Sequence, residues 1–255
     1  MEQMNKQTKH ILSLSFGKDS LAMLITLKEK NLPLDEVIFC DIRFNKEISG
    51  EHPLMAEWIP KAEKIIKDKF GIKVIHLTAD KNFSEWFYSK KTRGRFVGSY
   101  YGFPMSLQAW CNDRLKMRPI NNYICGLLQQ YNVVEYIGIA KDEPLRLERY
   151  KEMSTPEHKY ITLADLGLTE QEALTKCKTY NLLSPKYKQS FRGGCWFCPK
   201  MPVWEIYTLW RDYPDYYNKL VEMEKDSPVP FKPDGKTLAE RRENFIKGKI
   251  PKRRK

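Results

Sequence analysis

The first half of the chain alternates short apolar runs with longer segments in which apolar residues recur every three or four positions. Buried strands are predicted at residues 10–16, 34–42, 72–79 and 133–140. Helical spacing is found between them at residues 18–31, 54–71 and 121–131. Strands that alternate with helices in this way predict an α/β fold with a doubly wound, mainly parallel sheet.

The pattern changes after about Lys151. Helices are predicted at residues 169–182, 203–226 (broken near Pro214) and 236–246, with a segment rich in Gly, Cys and Pro before the second of them. We therefore expect an α/β domain over residues 1–150, a helical appendage containing a Cys-x-x-Cys motif over residues 151–246, and a basic tail over residues 247–255.

The net charge of the chain indicates a class of binding partner. The 255 residues carry a net charge of +12 and 42% are hydrophobic, which suits a folded protein with phosphate-rich partners, although a solvated basic surface has the same composition. The first residues lack the apolar core of a signal peptide, and no apolar run approaches a membrane span, so we expect a cytoplasmic protein without membrane contact. Six cysteines in a reducing compartment indicate thiol, metal or catalytic roles rather than disulfides.

The first predicted strand ends in the turn SFGKDS, residues 15–20, directly before a helix. Backbone N–H groups at a helix N-terminus form an anion site, and Gly17 can take a positive φ that lets a phosphate approach. Lys18 adds charge and two serines add hydroxyl donors. Asp19 can hold a Mg²⁺ ion that bridges phosphates, or it can cap the helix. An ordinary strand–helix turn is the alternative, since the spacing is not that of a Walker A loop.

The segment LSFGKDSLAML resembles the pyrophosphate-binding loop of the PP-loop ATP pyrophosphatase superfamily, usually SGGxDS, and departs from it at Phe16. The resemblance implies an adenine nucleotide alpha hydrolase-like fold. It also implies that a substrate oxygen attacks the α-phosphate of ATP, that an adenylated intermediate forms and that pyrophosphate leaves into the loop. Lys18 and Asp19 would then be catalytic, and the pyrophosphate would lie against Ser15, Gly17, Lys18, Asp19 and Ser20.

Two later segments, WCNDRLKMRPI at 110–120 and GIAKDEPLR at 138–146, contain clustered charges. They resemble the branch of the same superfamily related to phosphoadenosine phosphosulfate reductase, and the ordered resemblance covers roughly residues 9–224. It implies that a phosphate or sulfate faces three cations, Arg114, Lys116 and Arg118, and that Arg118 is catalytic. It also implies that residues of the later segment line the same cleft, near Asp41. These residues are Gly138, Asp142, Glu143 and Arg146. A solvated basic turn is the alternative for the cations.

The cysteines suggest a metal site. Cys195 and Cys198 have the Cys-x-x-Cys spacing of metal ligands, next to two glycines that permit a tight bend. The resemblance adds Cys111 as a third ligand, and Cys177 is a possible fourth. An iron–sulfur cluster, a Zn²⁺ ion and a metal-free redox dithiol all fit this spacing.

The predicted helix at 203–226 carries an aromatic stripe. Its members recur at spacings of three and are Trp204, Tyr207, Trp210, Tyr213, Tyr216 and Tyr217. Such a stripe indicates packing against the rest of the protein. The alternative is a base-stacking surface for single-stranded nucleic acid, helped by the basic tail.

Three functions are consistent with these motifs. The first is an ATP-dependent transferase that adenylates an acceptor, such as a tRNA base or DNA, and transfers sulfur to it from a donor protein. The second is an adenylyl-sulfate or phosphoadenylyl-sulfate reductase, which the resemblance disfavours because no cysteine follows Cys198. The third is a nucleotide-sensing or nucleic-acid-binding module, for which Phe16 in place of a glycine is the best support.

Overall fold

Five parallel strands form the central sheet of the chain, in the order β3-β2-β1-β4-β5. A computed structural model describes residues 6–94, 96–104, 109–190 and 192–253. The strands are β1 (Thr8–Leu14), β2 (Glu36–Cys40), β3 (Val74–Leu77), β4 (Asn132–Ile137) and β5 (His158–Thr162). The α/β architecture predicted from the alternating pattern is confirmed, and so is the parallel direction of the sheet.

Ten α-helices are found in the described part of the chain. They are α1 (Lys18–Glu29), α2 (Pro53–Phe70), α3 (Phe83–Phe87), α4 (Trp110–Asn112), α5 (Arg118–Leu128), α6 (Pro144–Met153), α7 (Glu170–Thr179), α8 (Val203–Asp212), α9 (Pro214–Asp226) and α10 (Leu238–Ile246). A π-helical turn at Asp113–Met117 follows α4, and a 3₁₀ turn lies at Pro185–Lys188. The predicted break near Pro214 is confirmed, because α8 and α9 meet there.

The sheet is buried on both faces, as its continuous apolar strands predict. Leu12 and Leu14 of β1 belong to a core shared with α1, α2 and α7, whereas the alternate residue Ile11 packs with Ile120 and Ile124 of α5. This alternation follows from the two-residue period of a strand. Helices therefore cover both faces, which is consistent with a doubly wound sheet.

The chain divides into two compact units that are interleaved along the sequence. The first contains residues 1–41, 54–77 and 118–187, and the second contains residues 42–53, 78–117 and 188–255. The first unit contains the sheet, whose fifth strand lies beyond residue 150. The second has its own aromatic-rich core around Phe83, Trp196 and Phe197. Residues 254 and 255 of the predicted basic tail lie outside the described residues.

The strand order fixes where a ligand site is expected in the first unit. β1 is flanked by β2 on one side and β4 on the other, so the chain reverses its direction of progress between β1 and β4. In open α/β sheets, ligands bind beyond the carboxyl ends of the strands at such a reversal. The turn after β1 and the turn after β4 both lie at this edge.

Candidate nucleotide site and cysteine turn

The turn after β1 is closed by hydrogen bonds among its own residues. The Ser20 hydroxyl accepts the N–H of Ser15 at 3.1 Å and donates to the carbonyl oxygen of Gly17 at 3.2 Å. The hydroxyl oxygens of Ser15 and Ser20 lie 3.0 Å apart and share a further hydrogen bond. The first turn of α1 thus holds the preceding loop in one shape, which is the preorganisation that anion binding requires.

Phe16, not Gly17, supplies the left-handed residue of this turn. Phe16 has φ 53°, whereas Gly17 is extended at φ −76° and begins α1 as its N-cap, without a side-chain cap. The expected positive φ at Gly17 is therefore wrong. The Phe16 ring is fully buried against Phe39 and Trp58, with centroid separations of 4.9 and 6.4 Å. Burial of the ring offsets the cost of a left-handed backbone in a residue other than glycine.

Lys18 and Asp19 form a part-buried ion pair in the first turn of α1. The Lys18 Nζ lies 2.7 and 2.9 Å from the two carboxylate oxygens of Asp19 and 3.5 Å from Oε1 of Glu170. Burial raises the pKa of Asp19, and the adjacent Lys18 ammonium opposes that rise. Asp19 does not cap α1, because Gly17 occupies the N-cap position. Its carboxylate is thus oriented by Lys18 at the mouth of the turn.

Two residues from distant parts of the sequence hold the backbone of Lys18. The Tyr187 hydroxyl accepts the Lys18 N–H at 3.0 Å, and the Cys177 thiol donates to the Lys18 carbonyl oxygen at 3.0 Å. Burial raises the pKa of both groups to about 12, so each keeps its proton at neutral pH. Cys177 is fully buried in α7 and supports the turn of the first unit.

The turn after β4 approaches the same helix end. A Cβ atom on Gly138 would lie 2.5 Å from the N atom of Ser20 and 2.7 Å from the carbonyl carbon of Asp19. Glycine is needed there because the two backbones touch. Beyond it, the Asp142 carboxylate accepts the N–H of Glu170 at 3.0 Å at the start of α7, and Arg146 pairs with Glu143. The structure therefore brings Gly138 and the loop residues together.

We expect Tyr187→Phe to lower the free energy of unfolding by about 1 kcal/mol, because the Lys18 N–H loses its acceptor at a part-buried helix end. Urea unfolding measures this change. Tyr180→Phe is the matched control, since it removes a hydroxyl that bonds Glu29 at an exposed position of the same unit. An equal loss in the two variants would contradict a special role for the Tyr187 hydroxyl.

The remaining predicted nucleotide ligands lie in different settings. Asp41 follows β2, and its N–H donates to the Leu77 carbonyl oxygen at 2.8 Å. Arg114 and Lys116 belong to the π-helical turn in the second unit, whereas Arg118 is exposed and begins α5 in the first. Side chains at positions i, i+2 and i+4 share one face only in an extended segment. This segment is helical, so the three cations do not share a face.

Three cysteines of the second unit lie near one another. Cys195 and Cys198 form a turn in which the N–H of Cys198 donates to the Cys195 carbonyl oxygen at 3.2 Å. Burial raises the pKa of Cys195 well above its usual range, with Glu51, Cys198 and Cys111 contributing in that order. The pKa of Cys111 rises to about 11, chiefly through burial. All six cysteines of the chain are free thiols.

The described residues do not offer a finished metal site. Among them, no three His, Cys, Asp or Glu side chains are arranged to hold a metal ion. An Arg192 guanidinium N–H also points at the Cys198 sulfur, 3.8 Å away. The contacts of Cys177 lie in the first unit. The prediction of an iron–sulfur cluster or Zn²⁺ ion therefore stays a prediction, and no step below passes through one.

The aromatic stripe packs within the second unit. Tyr217 is fully buried and donates to the Leu238 carbonyl oxygen, and Trp210 contacts Phe245 at a centroid separation of 5.5 Å. Trp204 donates its indole N–H to the Gln189 carbonyl oxygen. These contacts support the packing interpretation of the stripe over the base-stacking one.

Sequence reasoning missed Glu170 and Tyr187. The sequence Thr169-Glu-Gln-Glu172 is a capping box, which predicts where α7 begins but not that its first residue reaches Lys18. Tyr187 has no local signal, because its partner Lys18 lies 169 positions away in the chain. Both contacts arise from the packing of α7 and the following turn around α1.

Fold and site define the first unit as an α/β domain with a preformed loop at the reversal of a parallel sheet. No family model matches the chain. It is 27% identical over 218 residues to the uncharacterized protein MJ0066 of Methanocaldococcus jannaschii, a match covering 82% of this chain and 40% of that protein. It is 33% identical over 115 residues to the uncharacterized nin region protein ORF290 of Escherichia phage lambda, covering 44% and 36%. The chain thus spans well under half of either relative.

No helix in the described ranges combines the length and the apolar character needed to cross a bilayer.

Proposed function

We propose that the first unit binds the triphosphate of ATP at the turn of residues 15–20 and releases pyrophosphate there while adenylating an acceptor. The observation that carries this proposal is the closed turn at the carboxyl end of β1, where two serine hydroxyls bond within the loop and the Lys18 ammonium pairs with Asp19 at the start of α1. A helix N-terminus with an adjacent cation is the ordinary means of holding phosphate oxygens. The resemblance of this turn to the SGGxDS loop also supports the proposal.

The residues have separable roles in this proposal. Lys18 neutralises charge that develops on the leaving pyrophosphate, and its contact with Asp19 holds it at the mouth of the turn. A magnesium ion that arrives with ATP needs only one or two carboxylates beside the phosphates, and Asp19 supplies one. An acceptor oxygen attacks the α-phosphorus, the bond to the β-phosphate oxygen breaks, and pyrophosphate leaves on the side of the loop.

The acceptor and the second half-reaction are proposed from the resemblance and the charge. A sulfur nucleophile from a donor protein would displace AMP from the adenylated acceptor, forming a carbon–sulfur bond as the carbon–oxygen bond breaks. The net charge of +12 is consistent with a polyanionic acceptor such as tRNA or DNA. Six free thiols are consistent with a reducing, cytoplasmic setting.

Asp19→Ala tests this function. We expect at least a 100-fold loss of pyrophosphate release from magnesium-ATP, measured with bulk tRNA or single-stranded DNA as the acceptor, because the carboxylate that orients Lys18 and the metal is removed. Asp68→Ala is the control, since Asp68 is exposed in α2. Unchanged release by Asp19→Ala would overturn the assignment of the loop. ATP binding without release in the unsubstituted protein would favour the nucleotide-sensing module.

A further inference from the structure

Three cations and three aromatic rings form a continuous chain of cation–aromatic contacts in the second unit. The Lys81 ammonium lies 5.0 Å from the Trp86 ring centroid, and the Arg114 guanidinium lies 3.9 Å from Trp86 and 4.4 Å from Tyr101. The Lys91 ammonium then lies 5.8 Å from Tyr101 and 5.3 Å from Phe96. We call this set the cation–aromatic ladder; in order it contains Lys81, Trp86, Arg114, Tyr101, Lys91 and Phe96.

A short antiparallel ribbon carries the outer end of the ladder into solvent. Lys90 pairs with Tyr100, and the N–H of Lys91 donates to the Ser99 carbonyl oxygen at 2.9 Å. At its tip, Phe96 is 53% exposed and Val97 is 63% exposed. The sequence of residues 88–101 contains four Lys or Arg residues and no carboxylate. An exposed ring beside several cations and no carboxylate is suited to a partner that combines negative charge with planar groups.

Arg114 lies at the centre of the ladder and contacts two of its rings. One guanidinium nitrogen, Nη2, donates to the Tyr101 hydroxyl at 2.9 Å. The other, Nη1, is buried and has no hydrogen-bond partner among the described residues. The Trp86 and Tyr101 rings meet edge-to-face at a centroid separation of 6.0 Å, and the guanidinium contacts both. The Arg114 charge therefore adds to the positive field that Lys81 and Lys91 present to a polyanion.

We infer that the cation–aromatic ladder binds single-stranded nucleic acid. Unpaired bases can stack on the exposed ring of Phe96, while phosphates lie against Lys91 and Lys81. A duplex hides its base faces, so it offers this surface only its phosphates. An acidic peptide matches the charge, but its Asp and Glu side chains offer no aromatic face to the exposed ring. The inference goes beyond the proposed adenylation and does not rest on it, since binding is tested without nucleotide.

Fluorescence anisotropy with labelled oligo(dU), oligo(U) and a duplex of equal length tests this inference. We expect at least one single strand to bind about tenfold more tightly than the duplex, the tighter probe identifying the preferred sugar. Phe96→Ala should weaken binding of that strand about tenfold, because one stacked base is lost. Lys91→Ala should reduce the slope of log K against log salt concentration by about 0.7.

Two exposed residues of the first unit provide matched controls. Leu145, 82% exposed, tests the removal of an apolar side chain, and Lys64, exposed in α2, tests the removal of one charge. We expect Leu145→Ala and Lys64→Ala to bind the strand as the unsubstituted chain does, and melting curves to show all four variants folded. Equal affinity for strand and duplex, or full affinity in a folded Phe96→Ala variant, would overturn the inference.

Discussion

Gly138→Ala is expected to reduce pyrophosphate release about 100-fold. The added methyl group would lie 2.5 to 2.8 Å from backbone atoms of Asp19 and Ser20, closer than real contacts allow. Backbone cannot rotate away as a flexible side chain can, so the turn after β4 and the first turn of α1 must separate. A displacement of about 1 Å in a phosphate site costs on the order of 100-fold in rate. The rate of pyrophosphate release and the urea unfolding curve measure the two consequences.

Gly126→Ala is the matched control for this substitution. Gly126 lies within α5 of the same unit, and an added Cβ atom would meet nothing within 4 Å. Glycine is unfavourable inside a helix, so this variant should be about 0.5–1 kcal/mol more stable, with unchanged release. Full activity in Gly138→Ala would mean that the close approach of the β4 turn does not shape the phosphate site.

Substitutions at Phe16 should have the largest effect on stability. Its ring is fully buried, and truncation of a buried Phe to Ala costs about 3–5 kcal/mol. Alanine would also keep the unfavourable φ of 53°, whereas glycine accepts it. We therefore expect Phe16→Gly to be more stable than Phe16→Ala by about 1 kcal/mol, although both lose the ring. Urea unfolding of the two variants gives the difference.

Phe70 provides the control, because it ends α2 in a helical conformation and its side chain packs on the same core. There the order should reverse, with Phe70→Gly less stable than Phe70→Ala by about 0.5–1 kcal/mol. Equal stability of the two Phe16 variants would show that the backbone there carries no strain. The comparison also bears on function. If Phe16→Gly is the more stable variant, as expected, the turn has the left-handed conformation that a glycine accepts, and the departure from SGGxDS at Phe16 is a packing change within an unaltered turn.

The alternating pattern was enough to predict the sheet and most helices of the first unit. Apolar runs such as Val37, Ile38 and Phe39 are long enough to identify a strand buried on both faces. β5 was missed because its sequence, HKYIT, has few apolar residues and its burial is partial. The helix α6 was missed for a similar reason, since it has no buried residue. The pattern of apolar residues identifies an element only where one of its faces is buried, and these two elements bury little surface.

The candidate site was predictable only where it is local in sequence. The turn of residues 15–20 can be recognised from its sequence, because its hydrogen bonds join residues within five positions of one another. The backbone contacts made by Tyr187 and Cys177 depend on packing across more than 150 residues. The interleaving of the two units is equally invisible to a pattern read along the chain, since each unit is assembled from three separate segments.

Amide chemical shifts of the ¹⁵N-labelled protein during titration with inorganic pyrophosphate test the central claim most directly. No acceptor or turnover is needed, and each backbone N–H reports its own environment. We expect the largest shift changes at Gly17, Lys18, Asp19 and Ser20, where the turn meets the N-terminus of α1. Unmoved loop amides at saturating pyrophosphate, or changes centred elsewhere in the chain, would contradict a phosphate site in this turn.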